Sequence, residues 1–561
     1  MAKSPPPIHP PTPQNQEQFT AEEQALLAPF VTNTEAPVFA LTHLPEVIKG
    51  ALFSRYSRST LGLRRLLLKE FIQAEESAFA EIGGGYPGGA SGGVAQARRA
   101  HLAVGKAQEF YDRILDGYGD DSIGELGGAH LALEDVSMIA TKVLEDARIG
   151  GSPLEKSTRY VSFAEPRGGE FLFYREPALM ASPHRERYLR TCNSLFETYR
   201  DLQTPLIRFI EHEVPRPPEI NEAAWRRSVR ARALDALRGL LPASTLTNMG
   251  IFGNGRFFES LLVTLRLSPL AELNALSAAA FEELGKVIPS FVRRADPTHP
   301  HFGGFQEYQA ALARQAAALG QSLAARGGST SSGGREVELA DYDPAGAEKV
   351  LAALAYPTQD QPWGPLRHSA ARLSPEHRAR LFQELAEARR NRRHKPPRAC
   401  ELAFFTFDLL GDYGMYRDMH RHRALTQQRQ ILTAAQGFVT PDEISMAGLL
   451  APYQEVLERA GDTWRILAAD YPLQAQYVVP MAYRIRWHMH INLRSLVWMV
   501  ELRSSPQGHP AYRKMAQELF HRVREAVPEF APLFRFVDLE EYPLGRLGAE
   551  QRTEDKRGGK A

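Results

Sequence analysis

The spacing of hydrophobic residues along the chain predicts long helices and a smaller number of short strands. Residues 307–325 (EYQAALARQAAALGQSLAA) form an Ala-rich stretch of helical length, whereas 336–342 (EVELADY) and 404–407 (FFTF) have the length and residue types of strands. A helix with one buried face is predicted by the i, i+3, i+4, i+7 spacing of Leu493, Leu496, Val497 and Val500. Helix-length patterns outnumber strand-length patterns.

Segments without such a pattern divide the chain. Residues 1–20 are polar and rich in proline, and residues 549–561 are polar and charged, so we expect both to be disordered tails. Gly and Ser dominate residues 327–335, which predicts a flexible linker. The linker separates a predicted N-terminal domain, 21–326, from a predicted C-terminal domain, 336–548.

The two predicted domains share a faint repeat. Pro242 is followed after twelve and fourteen residues by an Asn and an Arg, and Pro480 is followed at the same distances by Asn492 and Arg494. Matches this sparse also arise by chance, but together with the central linker they favour a diverged tandem duplication.

Charge and composition exclude several classes of protein. The 561 residues include 67 Lys and Arg against 66 Asp and Glu, so no overall field attracts a polyanion such as nucleic acid. Two cysteines are too few for a disulfide framework or a cysteine-built zinc site, and we predict no metal. No segment has the apolar pattern of a membrane span or a signal peptide. We therefore expect a cytoplasmic protein with no membrane partner.

The sharpest local signal is the basic segment 417–429 (RDMHRHRALTQQR), which carries four arginines and one acid, Asp418. On a helix, Arg417 and Arg421 would lie one turn apart and repel each other. A bound anion would relieve this repulsion, and guanidinium forks suit phosphate. A basic face open to solvent is the alternative. The strand-like segment just before it places the charges at the edge of a packed element, which favours the anion site.

A second cluster lies in residues 152–163 (SPLEKSTRYVSF). In an extended segment, Glu155, Ser157 and Arg159 would share one face, because side chains alternate between the two faces of a strand. A carboxylate, a hydroxyl and a guanidinium on one face suit the binding of a nucleotide. Surface strands often carry such patterns, so this cluster alone is weak support for a nucleotide site.

In this order the motifs resemble those of the flavin-dependent thymidylate synthase (ThyX) family, present here as a diverged tandem duplication. Family members bind flavin through an Arg-His-Arg triplet and an Asn-x-Arg, and an arginine further on activates the uracil ring. The resemblance assigns FAD binding in the C-terminal half to Arg421, His422, Arg423, Asn492 and Arg494, and catalysis to Arg503. Ser122, in the N-terminal half, loosely matches a further flavin-contacting position.

The N-terminal half shows the opposite pattern. Residues 146–148 read Asp-Ala-Arg at the triplet position, whereas 155–159 preserve the nucleotide loop. The resemblance implies that dUMP is bound by Glu155, Ser157, Arg159, Arg238 and Arg417. Because the two halves have lost complementary parts, we expect one composite site built from both of them, and a second, mirror-related site without function.

The resemblance also implies a fold and a reaction. The fold would be α+β, with two tandem ThyX-like domains that each pack long helices on a mixed sheet. The enzyme would methylate dUMP reductively to dTMP, using methylenetetrahydrofolate, FAD and NADPH. If family members are tetramers of single domains, two such double chains suffice, so a homodimer is expected.

Two alternatives remain open. A catalytically silent paralogue that binds flavin or nucleotide, and acts as a sensor or interaction protein, is favoured by Asp418, because an acid is a doubtful neighbour for a phosphate. Nucleic-acid binding through 389–398 and 421–423 is weaker, since these basic runs lack interleaved aromatic residues.

Overall fold

The computed structural model describes residues 17–57, 59–73, 124–326 and 335–558. Ser122, most of the predicted N-terminal tail and all of the predicted linker except its last residue lie outside the described residues.

The strands form two small sheets. Their bounds are β1 Gly128–Ser137, β2 Gly151–Glu155, β3 Leu246–Asn254, β4 Val337–Tyr342, β5 Phe404–Asp412, β6 Leu425–Arg429 and β7 Arg484–Asn492. The first sheet has the order β1-β3-β2 and the second has the order β4-β5-β7-β6. All three pairs of the second sheet are antiparallel, a detail in which it differs from the predicted mixed sheet.

Helices make up most of the remaining structure. Those of the N-terminal half are α1 Ala21–Leu27, α2 Glu46–Tyr56, α3 Leu63–Leu66, α4 Met138–Asp146, α5 Pro177–Met180, α6 Arg185–Asp201, α7 Gln203–Glu213, α8 Glu222–Leu237, α9 Gly255–Arg266, α10 Ala271–Gly285, α11 Pro289–Val292 and α12 Pro300–Arg326. Those of the C-terminal half are α13 Gly346–Ala355, α14 Trp363–Ala371, α15 Pro375–Glu387, α16 Tyr413–Met419, α17 Asp442–Met446, α18 Leu450–Asp470, α19 Leu493–Arg503, α20 Pro510–Ala526 and α21 Leu547–Gly558. Shorter helical turns span Leu67–Ile72, Arg238–Leu240, Arg293–Ala295, Tyr356–Thr358, Arg398–Leu402, Gln474–Val478 and Pro528–Phe534.

The sequence repeat corresponds to a repeated strand and helix. Strands β3 and β7 each have nine residues and the same alternation of buried and more exposed positions. Each strand ends at an asparagine, Asn254 or Asn492, whose side chain accepts a backbone hydrogen bond from the helix that follows. An asparagine at this place satisfies a helix N–H that has no partner within the helix. The two Asn positions of the repeat are therefore helix caps.

The repeated prolines meet each other. Pro242 and Pro480 form an isolated antiparallel bridge. Residues of the two halves correspond when 238 is added to a residue number of the first half. Each backbone hydrogen bond around the bridge then has a counterpart in which donor and acceptor belong to the opposite halves. In the first matched pair, Ala243 N donates to Val479 O and Met481 N donates to Leu241 O, both at 2.9 Å. In the second, Ser244 N donates to Tyr477 O at 3.0 Å and Ala482 N donates to Gly239 O at 2.8 Å. The two halves are thus related here by a local pseudo-twofold axis.

Several predictions of the sequence are confirmed. The α+β class is observed, the FFTF and VELADY segments are strands, and residues 307–325 lie within α12. The predicted apolar face of α19 is buried along its whole length. The predicted C-terminal tail is wrong for residues 549–558, which belong to α21. Arg227 of α8 holds this helix by donating to Glu550 and Glu554, at 2.7 and 2.6 Å.

The chain divides into two compact units that do not coincide with the two predicted domains. The described residues of the first unit lie within Met1–Ala132, Ala147–Leu154 and Gly250–Ser322, and those of the second lie within Leu133–Asp146, Glu155–Met249 and Leu323–Ala561. The second unit joins parts of both halves, because α6 packs on α18 and α8 packs on α21. Among the described helices, none combines the length and the apolar character that crossing a membrane requires.

Candidate functional site

Strand register brings the basic triplet beside the end of β7. Leu425, the first residue of β6, pairs with Ile491, the penultimate residue of β7. Arg421, His422 and Arg423 lie just before β6, and therefore reach the same end of the sheet as Asn492, where α19 begins. The alternation of apolar residues in β7 fixes this register, because a slip of one residue would turn its buried side chains to the other face.

Asp418 is a buried carboxylate among arginines of both halves. Its Oδ2 accepts a hydrogen bond from Arg238 Nη1 at 2.9 Å, and its Oδ1 accepts one from Arg421. Burial alone would raise the pKa of Asp418, but the charges of Arg238, Arg421, Arg159 and Arg503 hold it well below its usual range. The acid that looked out of place in the sequence is therefore an ionised partner of these arginines.

Arg159 is held by a second buried carboxylate. Its Nε and Nη2 donate to the two oxygens of Asp235 at 2.9 and 3.0 Å, and Arg546 donates to the same carboxylate at 2.9 and 2.7 Å. Arg159 also donates to Tyr512 Oη at 2.7 Å and to the Gln507 carbonyl at 3.2 Å. Four of the hydrogen bonds that its five N–H groups can donate are therefore made within the protein.

Tyr512 lies near arginines of both halves. The guanidinium carbons of Arg159 and Arg503 lie 5.3 and 5.4 Å from the centroid of its ring. Arg503 Nε donates to His422 Nε2 at 2.9 Å, so the imidazole is an acceptor at this nitrogen. Burial and the charges of Arg503 and Arg421 hold the pKa of His422 well below its usual range, which agrees with a neutral ring.

Two predicted nucleotide-binding residues bind each other. Arg417 Nη2 donates to Glu155 Oε1, and Lys142 Nζ donates to Glu155 Oε2 at 3.2 Å. Burial alone would raise the pKa of Glu155, but the charges of Arg417 and Lys142 lower it. Glu155 ends strand β2, and a turn follows over 158–160. The prediction of an extended segment with Glu155, Ser157 and Arg159 on one face is therefore wrong beyond Glu155.

The helix predicted for the basic segment is shorter than expected. Helix α16 ends at Met419, so Arg417 lies within it and Arg421 lies after it. The predicted repulsion between these arginines is relieved by protein carboxylates, because Arg417 pairs with Glu155 and Arg421 pairs with Asp418.

The remaining predicted flavin residues lie just before β6 or near the start of α19. Arg423 is exposed, and Asn492 Oδ1 accepts from Ser495 N at 2.9 Å in the cap of α19. Arg494 donates to the Pro396 carbonyl and to Glu401, both at 2.8 Å. These three residues lie at the same end of the sheet as His422.

His509 is a buried residue that sequence reasoning missed. Its Nε2 lies 3.1 Å from the carbonyl oxygen of Asp235, and its Nδ1 accepts from Ala511 N at 3.2 Å at the start of α20. This pattern requires the neutral ring with its proton on Nε2. Burial and the charge of Arg238 lower the pKa of His509 to about 3. The available sequence signal was the pair His509-Pro510. Because Pro favours the first position of a helix, the residue before it is expected at the helix cap.

Comparison with known proteins identifies the family. The model of the thymidylate synthase complementing protein family matches residues 87–290 and again residues 338–529. The chain belongs to this family. The double match confirms the predicted resemblance to flavin-dependent thymidylate synthases and the tandem duplication.

Relatives share the full double length. A UPF0159 protein of Chlamydia muridarum is 46% identical over 95% of this chain and 98% of its own length. A UPF0159 protein of Thermoplasma acidophilum is 34% identical over 91% of this chain and 99% of its own length. The relatives are therefore similar to both halves of this thymidylate synthase complementing family member.

The structure brings together most of the residues that the family resemblance selected. All of them belong to the second compact unit except Ser122, which lies outside the described residues. Sequence reasoning missed the acidic partner Asp235 and the aromatic residue Tyr512. For Asp235 the available signal was one acid within the otherwise apolar end of α8, ALDAL. In this family member, such an acid is buried because two arginines pair with it.

Proposed function

We propose that the chain is a flavin-dependent thymidylate synthase-like enzyme that methylates dUMP reductively to dTMP at one composite site. The observation that carries the proposal is that Arg159 of the first half and Arg503 of the second both lie near the Tyr512 ring, at 5.3 and 5.4 Å from its centroid. Arg238 of the first half and Arg421 of the second both donate hydrogen bonds to Asp418. Both halves thus contribute cations to one cluster.

The residues proposed to hold FAD fit a diphosphate-containing cofactor. Arg421 has a side chain that is 36% exposed, and Arg423 is exposed. His422 and Asn492 lie beside them at the end of the sheet. Guanidinium groups that can reach solvent are suited to phosphate oxygens. FAD held there would supply the redox chemistry, and NADPH and methylenetetrahydrofolate would be co-substrates.

Arg503 is proposed to act on the uracil ring. A guanidinium stays protonated at any working pH, so it can stabilise negative charge that develops on the ring. His422 accepts from Arg503 Nε and fixes its orientation, and the Tyr512 ring flanks its charge. The neutral imidazole leaves the positive charge of Arg503 available for the ligand. Arg238, Arg159 and Arg417 are proposed to surround the nucleotide.

The test begins with the absorbance spectrum of the purified protein, loaded with FAD and titrated with dUMP. We expect a flavin band that shifts with dUMP, and dTMP formation when methylenetetrahydrofolate and NADPH are added. Arg503→Lys should keep the flavin band and lose dTMP formation by about 100-fold or more, because a point charge replaces a planar fork. Arg465→Lys, at an exposed ion pair, is the matched control. A protein that neither takes up FAD nor forms dTMP would overturn the proposal.

A silent flavin- or nucleotide-binding protein is the second candidate, and it is favoured by the internal pairing of the arginines. Arg159 and Arg417 are both paired with buried carboxylates. This candidate predicts the dUMP-dependent shift of the flavin band without any dTMP formation.

We further propose that two chains associate as a homodimer and that the protein is cytoplasmic. Sedimentation of the purified protein tests the first statement, because a monomer over the micromolar range would contradict it. Localisation of the tagged full-length chain tests the second.

A further inference from the structure

The positive charge around Asp418 exceeds the negative charge. We name as the arginine cluster the five guanidinium groups of Arg159, Arg238, Arg421, Arg503 and Arg546. Four of them pair with two carboxylates, those of Asp235 and Asp418, whereas Arg503 donates to the neutral His422. The buried Asp412 lies near Arg238, and even when its carboxyl is counted, five guanidiniums face three acids. The cluster therefore keeps an excess of positive charge in a partly buried place.

The two partners of Asp418 differ in their freedom to move. The side chain of Arg238 is 4% exposed, whereas that of Arg421 is 36% exposed. Arg238 also has a buried nitrogen, Nη2, with no hydrogen-bond partner within the part of the chain that the structure describes. A buried donor left without a partner is costly, and it is satisfied when an acceptor arrives. Arg238 is thus a fixed, partly unused donor, and Arg421 can turn to solvent.

We propose that Asp418 occupies the place of a ligand's anionic group in the arginine cluster. Its carboxylate holds Arg238 and Arg421 while no ligand is present. A nucleotide phosphate then competes with Asp418 for Arg238, whose free donor it uses, and thereby releases Arg421, which is proposed to hold FAD. The identity of the ligand as dUMP rests on the proposed function, whereas the competition between carboxylate and anion does not.

This competition has two measurable consequences. Because Asp418 repels a second anion, its removal raises the affinity of the cluster for phosphate and for dUMP. Because its removal also leaves the buried charge of Arg238 without a partner, the protein loses stability that an anion can restore. A purely structural ion pair would show the loss of stability without restoration by phosphate.

The experiment compares Asp418→Asn with the unchanged protein by thermal unfolding and by equilibrium binding. The full-length chain is measured in sodium chloride and in inorganic phosphate at equal ionic strength, and then with dUMP. Asp418→Asn should unfold at a lower temperature in chloride and gain more from phosphate than the unchanged protein does. Its dissociation constant for dUMP should fall on the order of tenfold. Asp462→Asn, which removes an acid from an exposed pair, is the control and should change neither.

The outcomes separate this inference from the proposed function. If phosphate stabilises Asp418→Asn no more than the unchanged protein, the inference is wrong, even where dUMP binds normally. If phosphate restores Asp418→Asn but neither protein binds dUMP, the inference holds and the proposed substrate is wrong. Should Asp418→Asn fail to fold, Asp418→Gln, neutral and longer, gives the same comparison.

Discussion

The carboxylate of Asp235 is predicted to be more important for stability than either arginine that binds it. Arg159 and Arg546 each donate two hydrogen bonds to Asp235, and all three side chains are about nine-tenths buried. Asp235→Asn leaves two buried guanidiniums without a charged partner and should cost about 3 to 5 kcal/mol. Arg159→Lys leaves Asp235 paired with Arg546, so it should cost less, about 1 to 3 kcal/mol.

Scanning calorimetry of the full-length variants measures this order. A loss of 1 kcal/mol lowers the unfolding midpoint by about 2 °C for a large domain. Asp235→Asn should therefore lower the midpoint of the transition that contains it by several degrees more than Arg159→Lys does. Asp201→Asn, at an exposed pair with its neighbour, is the control and should leave the midpoint within about 1 °C. If Asp235→Asn costs no more than Arg159→Lys, the shared carboxylate does not hold this cluster together.

Three further predictions concern acid stability and the C-terminus. Because the pKa of His509 is lowered in the folded protein, unfolded chains bind its proton first, and the free energy of unfolding should fall as pH drops from about 6.5 toward 3. His509→Asn, which can still cap α20, should flatten this pH dependence in thermal unfolding. An unchanged pH dependence would contradict the prediction. Burial alone would raise the pKa of Asp146, but its hydrogen bond to His420 and a nearby arginine lower it to about 2. The stability from Asp146 should therefore be lost as pH falls from about 4 to 2, and Asp146→Asn should lose less over this range. Arg227→Ala should expose α21 to limited proteolysis; an unchanged cleavage rate would show that packing alone holds the helix.

Much of the fold was predictable because its signals are local. The apolar alternation of β7 and the asparagines after β3 and β7 act over a few residues, and the repeat made them visible twice. The C-terminal helix was not predictable, since its own sequence is polar and its anchor, Arg227, lies more than 300 residues earlier.

The sequence proposes residues for the candidate site but does not indicate their contacts. The family resemblance selected Arg159, Arg238 and Arg503, whereas nothing local indicated which acid each arginine would meet. The pairing of Arg159 with Asp235 and of Arg238 with Asp418 is visible only in the structure, because these ion pairs form between side chains that are far apart in the sequence. From the sequence alone, Asp418 is a doubtful neighbour for a phosphate, because its partner Arg238 lies 180 residues away and the pairing cannot be seen.

The pseudo-twofold contact at Pro242 and Pro480 has a consequence for how this molecule can change. In an interface between two identical chains, every mutation occurs on both sides of the axis at once. Here the two sides belong to one chain, so a substitution beside Pro242 has no copy beside Pro480. Arg238 and Gln476, four residues before the two prolines, already differ in this way. Each side of the axis can therefore acquire its own chemistry while the shared backbone hydrogen bonds keep the halves aligned.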